Sequence, residues 1–246
     1  MSLPEGWLVP EWDAPPRVRA FVTTRHGGVS QGEFASMNLG KHSGDDPAHV
    51  EENRLIVREH VPETPRWMAQ AHGIAVADLD RLPDGQVPKA DAAVLGSPGR
   101  VGAVLTADCM PLFLCDASGR RAGVAHAGWR GMAAGVIEKA VQAIGGRPSQ
   151  VMAWMGPTIG PDAFEVGAEV RQAFLAMDPA AEGAFKPRAK GKFMADLYEL
   201  ARQRLARAGV TQVSGGGFCT YTQGERFFSY RRKKESGRMG AFIWVE

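Results

Sequence analysis

Apolar positions along the chain fall into short runs first and helical spacings later. Arg17 to Thr24 alternates as a strand does. The loop Arg25 to Ser30 follows, where Gly27 and Gly28 allow backbone angles closed to other residues. Asp46 is placed to cap a helix whose first position suits Pro47, with Val50, Leu55, Ile56 and Val57 as its apolar positions; this helix carries Asn53 and Arg54. From Arg66 to His126 the runs shorten, and strands are predicted at Trp67–Ala71, Ala92–Leu95, Val101–Thr106, Pro111–Cys115 and Arg121–Ala125. Asp116 to Gly119 is a hairpin signal. An antiparallel meander of the last three would bring Cys109 and His126 out at the same sheet edge. Neighbouring strands lie ~4.8 Å apart, so the two backbones would stand within about 10 Å.

Helical spacing then takes over. One helix is predicted over Met132–Ile144, stopped by Gly145 and Gly146, and a second over about Gly167–Met177. A third starts at Asp196, whose spacing to Glu199 resembles a capping box. It buries Leu197, Leu200, Ala201 and Leu205 before Gly209 stops it. Strands return at Val151–Met155 and Ala241–Val245, and Pro179 to Lys192 reads as loop. Strands grouped first and interleaved with helices later predict an α+β fold, mixed β-sheets flanked by helices in layers. With no repeat and no linker, residues 1–246 are expected to form a single domain.

Composition narrows the function classes. A chain of 246 residues with 44% hydrophobic content can bury a sizeable core. A net charge of +2 gives no strong field, and the basic run Arg231 to Lys234 is short, which argues against nucleic acid as the partner. Met1 to Pro10 lacks a basic stretch followed by an apolar one, and no apolar run reaches membrane length, so a cytoplasmic protein with no membrane partner is expected. Three cysteines are an odd count and suit reduced thiols. Neither a G-x-G-x-x-G turn nor a P-loop is present.

The candidate chemistry lies at strand ends. Cys109 follows Asp108 and precedes Met110 and Pro111, where the chain must turn. His126 opens a turn in which Gly128 and Gly131 would let backbone amides approach an anion at the next helix start. His72 also ends a predicted strand and is followed by Gly73. Two histidines and a cysteine form a set that zinc accepts, with a fourth position for water or substrate, although 36 and 16 intervening residues match no local zinc motif. The same thiol and imidazole could equally be nucleophile and base. Cys115 and Cys219 are expected to be inert buried thiols, and His42, His49 and His60 to be solvated.

Ten segments in order carry a resemblance: Thr24–Ser30, Asn38–Gly40, Asn53–Arg54, Gln70–Gly73, Ala90–Ala92, Thr106–Pro111, His126–Gly131, Gly156–Gly160, Cys219–Thr220 and Phe227–Arg232. The chain resembles the YfiH/YlmD family of laccase-domain, polyphenol oxidase-like proteins, also called peptidoglycan editing factors. Departures are small: Ala71 stands where valine is common, and Thr158 where alanine or cysteine is frequent. The resemblance implies zinc ligands at His72, Cys109 and His126, and phosphorolysis of adenosine, inosine or methylthioadenosine, with adenosine deamination as a second reaction. Copper is also compatible with such a ligand set. Purine nucleoside and phosphate are the implied partners of a monomer or small homo-oligomer.

Arginine suits phosphate because its fork donates two parallel hydrogen bonds. Arg54 is the first candidate, then Arg25, with Arg231 or Arg232 behind them. Asp108 could support a ligand or carry a proton as a catalytic group beside Cys109, His126 and His72. A cysteine hydrolase editing peptidoglycan precursors, a copper polyphenol oxidase and a non-enzymatic binding module are the alternatives. Only six histidines, with no His-x-His pair, weigh against multicopper chemistry.

Overall fold

The computed structural model describes residues 3–246. In chain order the first half runs β1 (Val18–Val22), α1 (Pro47–Arg58), β2 (Val76–Asp78), β3 (Ala92–Leu95), β4 (Gly102–Thr106), β5 (Met110–Asp116) and β6 (Ala122–Ala127). Two helices follow, α2 (Trp129–Ala134) and α3 (Val136–Ile144), then β7 (Val151–Met155), β8 (Glu165–Val166) and α4 (Ala168–Leu175). The chain closes with β9 (Phe185–Pro187), β10 (Phe193–Ala195), α5 (Leu197–Arg207), β11 (Gln212–Gly215) and β12 (Met239–Val245).

The elements stack in layers, as an α+β fold requires. A six-stranded mixed sheet has the order β11-β7-β5-β6-β3-β2, with β11–β7 and β2–β3 parallel and the other pairs antiparallel. A three-stranded antiparallel sheet, β1-β12-β4, faces it across a core that includes Val104 and Ile243 on one side and Phe113 and Val124 on the other. The outer face of the large sheet is covered by apolar stripes such as Val136, Ile137, Ala140, Val141 and Ile144 of α3. The outer face of the small sheet takes Val57 of α1 together with Trp7 and Met37. A third small sheet, β8-β10-β9, lies beside α4.

Several expected elements differ. The strand at Gly102–Thr106 pairs with β12, so the expected meander reduces to the β5–β6 hairpin, and β6 takes β3 as its other neighbour. A run buried on both faces names no partner, and pairing is decided by distant residues. The three residues Ala107 to Cys109 therefore carry the chain from one sheet to the other. Trp67–Ala71 is not a strand. Instead the Gln70 side chain imitates one, receiving the Leu105 N–H at 2.8 Å and donating to the Leu105 carbonyl at 2.9 Å along the edge of β4.

The helix expected over Met132–Ile144 is two, divided at Gly135, whose φ of 108° is left-handed. In α1 the buried positions are Val50, Asn53 and Val57, while Leu55 is 60% exposed. Asn53 occupies the buried stripe because its amide ties the preceding loop: Oδ1 accepts from Val29 N, and Nδ2 donates to Ser30, Ser36 and Asn38. The stretch Pro179 to Lys192 is structured, with two short 3-10 turns flanking β9.

Candidate functional site

The seam between the two large layers brings three loop or strand-end residues together. His126 sits on the last turnward part of β6, Cys109 immediately precedes β5, and His72 lies in the loop before β2. Their ligand atoms all lie within 4.8 Å of one another, and Sγ of Cys109 is 3.8 Å from Nε2 of His72. The two imidazoles meet edge to face at 4.8 Å between centroids. A tetrahedral zinc with bonds of ~2.3 Å to sulfur and ~2.05 Å to nitrogen places its ligand atoms roughly 3.3–3.6 Å apart. The set can therefore close on such an ion by small side-chain movements.

One residue that sequence reasoning passed over organises the group. Asp91 at the foot of β3 is 1% exposed, and its carboxylate accepts the N–H groups of Ala71, His72 and Gly73 at 3.0, 2.8 and 2.7 Å. The same carboxylate meets Nδ1 of His126 at 2.9 Å, and its own carbonyl receives the His126 N–H at 2.7 Å. With Nδ1 committed to Asp91, Nε2 is the ring nitrogen left for a metal, the arrangement typical of metal-binding histidines. The available signal was a single acid inside the apolar run Ala90 to Leu95.

Charge follows from this geometry. Burial alone would raise the Asp91 carboxyl, but the hydrogen bonds from His126, Gly73 and Ala71 hold it down at about 2. Burial likewise opposes the Cys109 thiolate, yet His126 and His72 together pull its pKa below the usual thiol value. His126 moves the other way: burial disfavours its charge, but Cys109 and Asp91 outweigh that and raise it. The metal-free site thus favours a thiolate beside an imidazolium.

Two non-glycine residues here, His72 at φ 57° and Asp108 at φ 87°, occupy the left-handed region, which costs of order 1 kcal/mol or more each. Asp91 compensates for the first. Asp108 is held at four points: Oδ1 by the Thr220 hydroxyl and Oδ2 by Arg231 N, each at 2.6 Å, and its carbonyl by Thr158 Oγ1 and Ile159 N. It anchors the turn that presents Cys109.

Gly128 is a steric requirement. A Cβ there would stand 2.7 Å from Cys109 Sγ and 3.1 Å from His72 Cδ2, and one on Gly131 would stand 2.8 Å from the Gly73 carbonyl. The helix that starts here, α2, spans six residues, with Cys109 and His72 packed against the Cβ side of its capping glycine.

The four arginines expected to hold phosphate donate to main-chain carbonyls. Arg54 gives Nε and Nη2 to Leu39 O and stacks 4.0 Å from Trp67, and burial lowers it to about 10. Arg25 binds Ala35 O and Gly224 O; Arg232 binds the carbonyls of Thr220, Tyr221 and Phe227. Arg231 donates Nη1 to Glu165 O and lies over Phe164. Of the other candidates, Cys115 is buried and pushed up to about 12, as an inert thiol should be. Cys219 is half-buried and accepts Gly160 N at 3.2 Å, so it is not a core residue. His60 packs edge-on against Trp7 with Nδ1 buried and unpartnered, contrary to the solvated expectation.

The half-exposed His–Cys–His cluster on a buried carboxylate, set between stacked sheets, is a group of a kind that could hold a metal ion. Residues 19–246 match the family described as multi-copper polyphenol oxidoreductase laccase. The chain is 51% identical over 242 residues to a purine nucleoside phosphorylase of Pseudomonas aeruginosa, covering 98% of this chain and 99% of that one. It is 50% identical over 240 residues to the purine nucleoside phosphorylase YfiH of Escherichia coli, covering 97% and 98%. A crystal structure of a Neisseria meningitidis protein superposes with a TM-score of 0.95 at 44% identity, covering 98% of this chain and all of that one. The chain belongs to the YfiH family of laccase-like domains. No helix among the described residues is long and apolar enough to cross a membrane.

Proposed function

We propose that the chain is a zinc-dependent purine nucleoside phosphorylase, cleaving adenosine, inosine or methylthioadenosine with phosphate to the free base and a sugar 1-phosphate, and deaminating adenosine as a second reaction. The observation that carries this reading is the convergence of His72, Cys109 and His126 within 4.8 Å, in a chain half identical to relatives named purine nucleoside phosphorylase. These three residues would hold the metal: a thiolate-favouring Cys109 and a His126 oriented by Asp91 are the donor chemistry zinc selects. When bound, the ion supplies a Lewis acid with an open coordination position.

The rest falls to the protein's own groups. Asp91 fixes the His126 tautomer and the His72 main chain, so both rings are preorganised. Asp108 would carry the proton that the departing base needs: Oδ2, whose partner is a main-chain N–H, keeps a lone pair that would take a proton from the incoming dihydrogen phosphate and pass it on to the base. Tyr221 and Tyr230, 39% and 49% exposed in segments tied to Asp108, offer aromatic faces for a purine. Incubating the protein with adenosine, with and without phosphate, and separating products by chromatography tests the reading. Adenine and ribose 1-phosphate that form only with phosphate, and are lost in Cys109→Ala, support it; no product in either condition sinks it.

One observation favours a second reading. A thiolate-favouring Cys109 beside a raised His126 is also a nucleophile and base, as in a hydrolase editing a peptidoglycan precursor. Such an enzyme would keep its activity after chelation. Copper oxidase chemistry has less support, because the described residues contain one metal-capable cluster and no second to hold further copper ions.

A further inference from the structure

Phosphorolysis needs a cation with donors to spare; Arg25, Arg54 and Arg232 each spend two nitrogens on carbonyls, whereas Arg231 and Arg238 each spend only Nη1. Of these two, Arg238, directly before β12, is the one held half-buried. Its N–H donates to Asn38 Oδ1 at 2.9 Å and its carbonyl accepts Leu39 N at 3.1 Å. Its stem lies so close over Gly40 that a Cβ there would stand 2.7 Å from Cγ. Nη1 donates to the carbonyls of Ser236 and Gly237 at 2.6 and 3.0 Å. The side chain is thereby clamped, while Nε and Nη2 have no partner among the described residues, and no carboxylate there forms an ion pair with it.

The side chain lies against the segment that binds Asp108. The guanidinium lies 5.6 Å from the centre of the Tyr230 ring, and the next residue, Arg231, gives its N–H to Asp108 Oδ2. Burial lowers the Arg238 pKa, and the charges of Tyr230, Asp108 and Cys109 oppose that lowering, which places all three within its electrostatic reach. A half-buried arginine held by its main chain and Nη1, with Nε and Nη2 open to solvent, is preorganised to give a planar two-donor fork to an anion.

We propose that Arg238 binds the phosphate co-substrate, presenting Nε and Nη2 as a two-pronged donor to its oxygens. The inference rests on the phosphorolytic reading for the identity of the anion, and its test separates the two. The zinc-loaded protein, Arg238→Gln and Arg238→Lys are compared for turnover against phosphate concentration and for binding of inorganic phosphate by calorimetry. Arg238→Gln is expected to raise the phosphate KM and weaken calorimetric binding about 10- to 100-fold, with zinc content unchanged. Arg238→Lys should lose less, because it keeps the charge and loses only the fork.

If the wild-type protein shows no phosphorolysis but its phosphate binding still depends on Arg238, the functional reading fails and this inference stands. Wild-type phosphate affinity in Arg238→Gln overturns the inference while leaving the function intact; absence of phosphate binding by the wild-type protein overturns both. Should Arg238→Gln fail to fold, Arg238→Lys decides, and unchanged affinity in it overturns the proposal.

Discussion

The Asp91 carboxylate accepts Nδ1–H of His126 at 2.9 Å while gathering the main chain on both sides of His72, so one buried acid sets two of the three ligands. Replacing such a partner costs 10- to 100-fold in metal affinity. Asp91→Asn should lower zinc affinity by that factor, measured by competition with a chelator of known affinity. Zinc binding equal to wild type would show that Asp91 supports the fold alone.

Asp91 also couples stability to acid. Its folded carboxyl, held at about 2, lies below the unfolded value of ~3.9, so the folded state favours the ionised form. The stabilisation is complete above about pH 4 and disappears as pH falls through about 2. Denaturant titrations between pH 2 and 5 should show a steeper acid loss in wild type than in Asp91→Asn; parallel slopes would contradict this.

Gly128 has an ordinary φ of −69°, so alanine there meets no backbone strain but presses on Cys109 Sγ at 2.7 Å and His72 Cδ2 at 3.1 Å. Gly128→Ala should therefore displace the thiol and cut zinc content well below one per chain with little change in melting temperature. Elemental analysis beside a thermal melt measures both, and full occupancy in the variant would refute the steric account.

In metal-free protein the Cys109 thiol is already inclined to ionise, because the two histidines outweigh burial. Alkylation by iodoacetamide, followed by mass mapping of the Cys109 peptide, should rise with pH at a midpoint below ~8.5, the value of a free thiol. His72→Ala should move that midpoint up. A midpoint at or above 8.5 in the unsubstituted chain would contradict the assigned charge state.

Between α3 and α5, Arg204 is almost fully buried and its Nε lies 2.6 Å from Glu138 Oε1. Glu138→Ala would strand that guanidinium at a cost of about 3–5 kcal/mol, the range for broken buried pairs, because both carboxylate oxygens of Glu138 are buried. Replacing both by apolar residues should recover most of it. Equilibrium denaturation measures the difference, and a loss under 1 kcal/mol would show that the pair is effectively solvated.

What the sequence disclosed and what it hid divide by range. Asp46 caps α1 through Ala48 N, and Asp196 caps α5 through Glu199 N, because a cap is written within four residues. The reciprocal half of the second box is missing: Glu199 accepts from Gln203 instead. Cys109 and His126 do share an edge, yet the reason is the β5–β6 hairpin and a crossing between sheets, not a three-stranded meander. Sheet partners, the break at Gly135, the role of Asp91 and the free edge of Arg238 all depend on residues far apart in the chain, where local pattern carries no information.

If activity runs through a metal held by His72, Cys109 and His126, it must follow the metal content of the protein. The direct test is to strip the protein with a chelator, restore zinc in steps, and measure phosphate-dependent cleavage of adenosine at each. The rate is expected to rise in proportion to bound zinc, to saturate at one zinc per chain, and not to be restored in Cys109→Ala. Full turnover by the stripped protein would contradict it and point to Cys109 as a nucleophile.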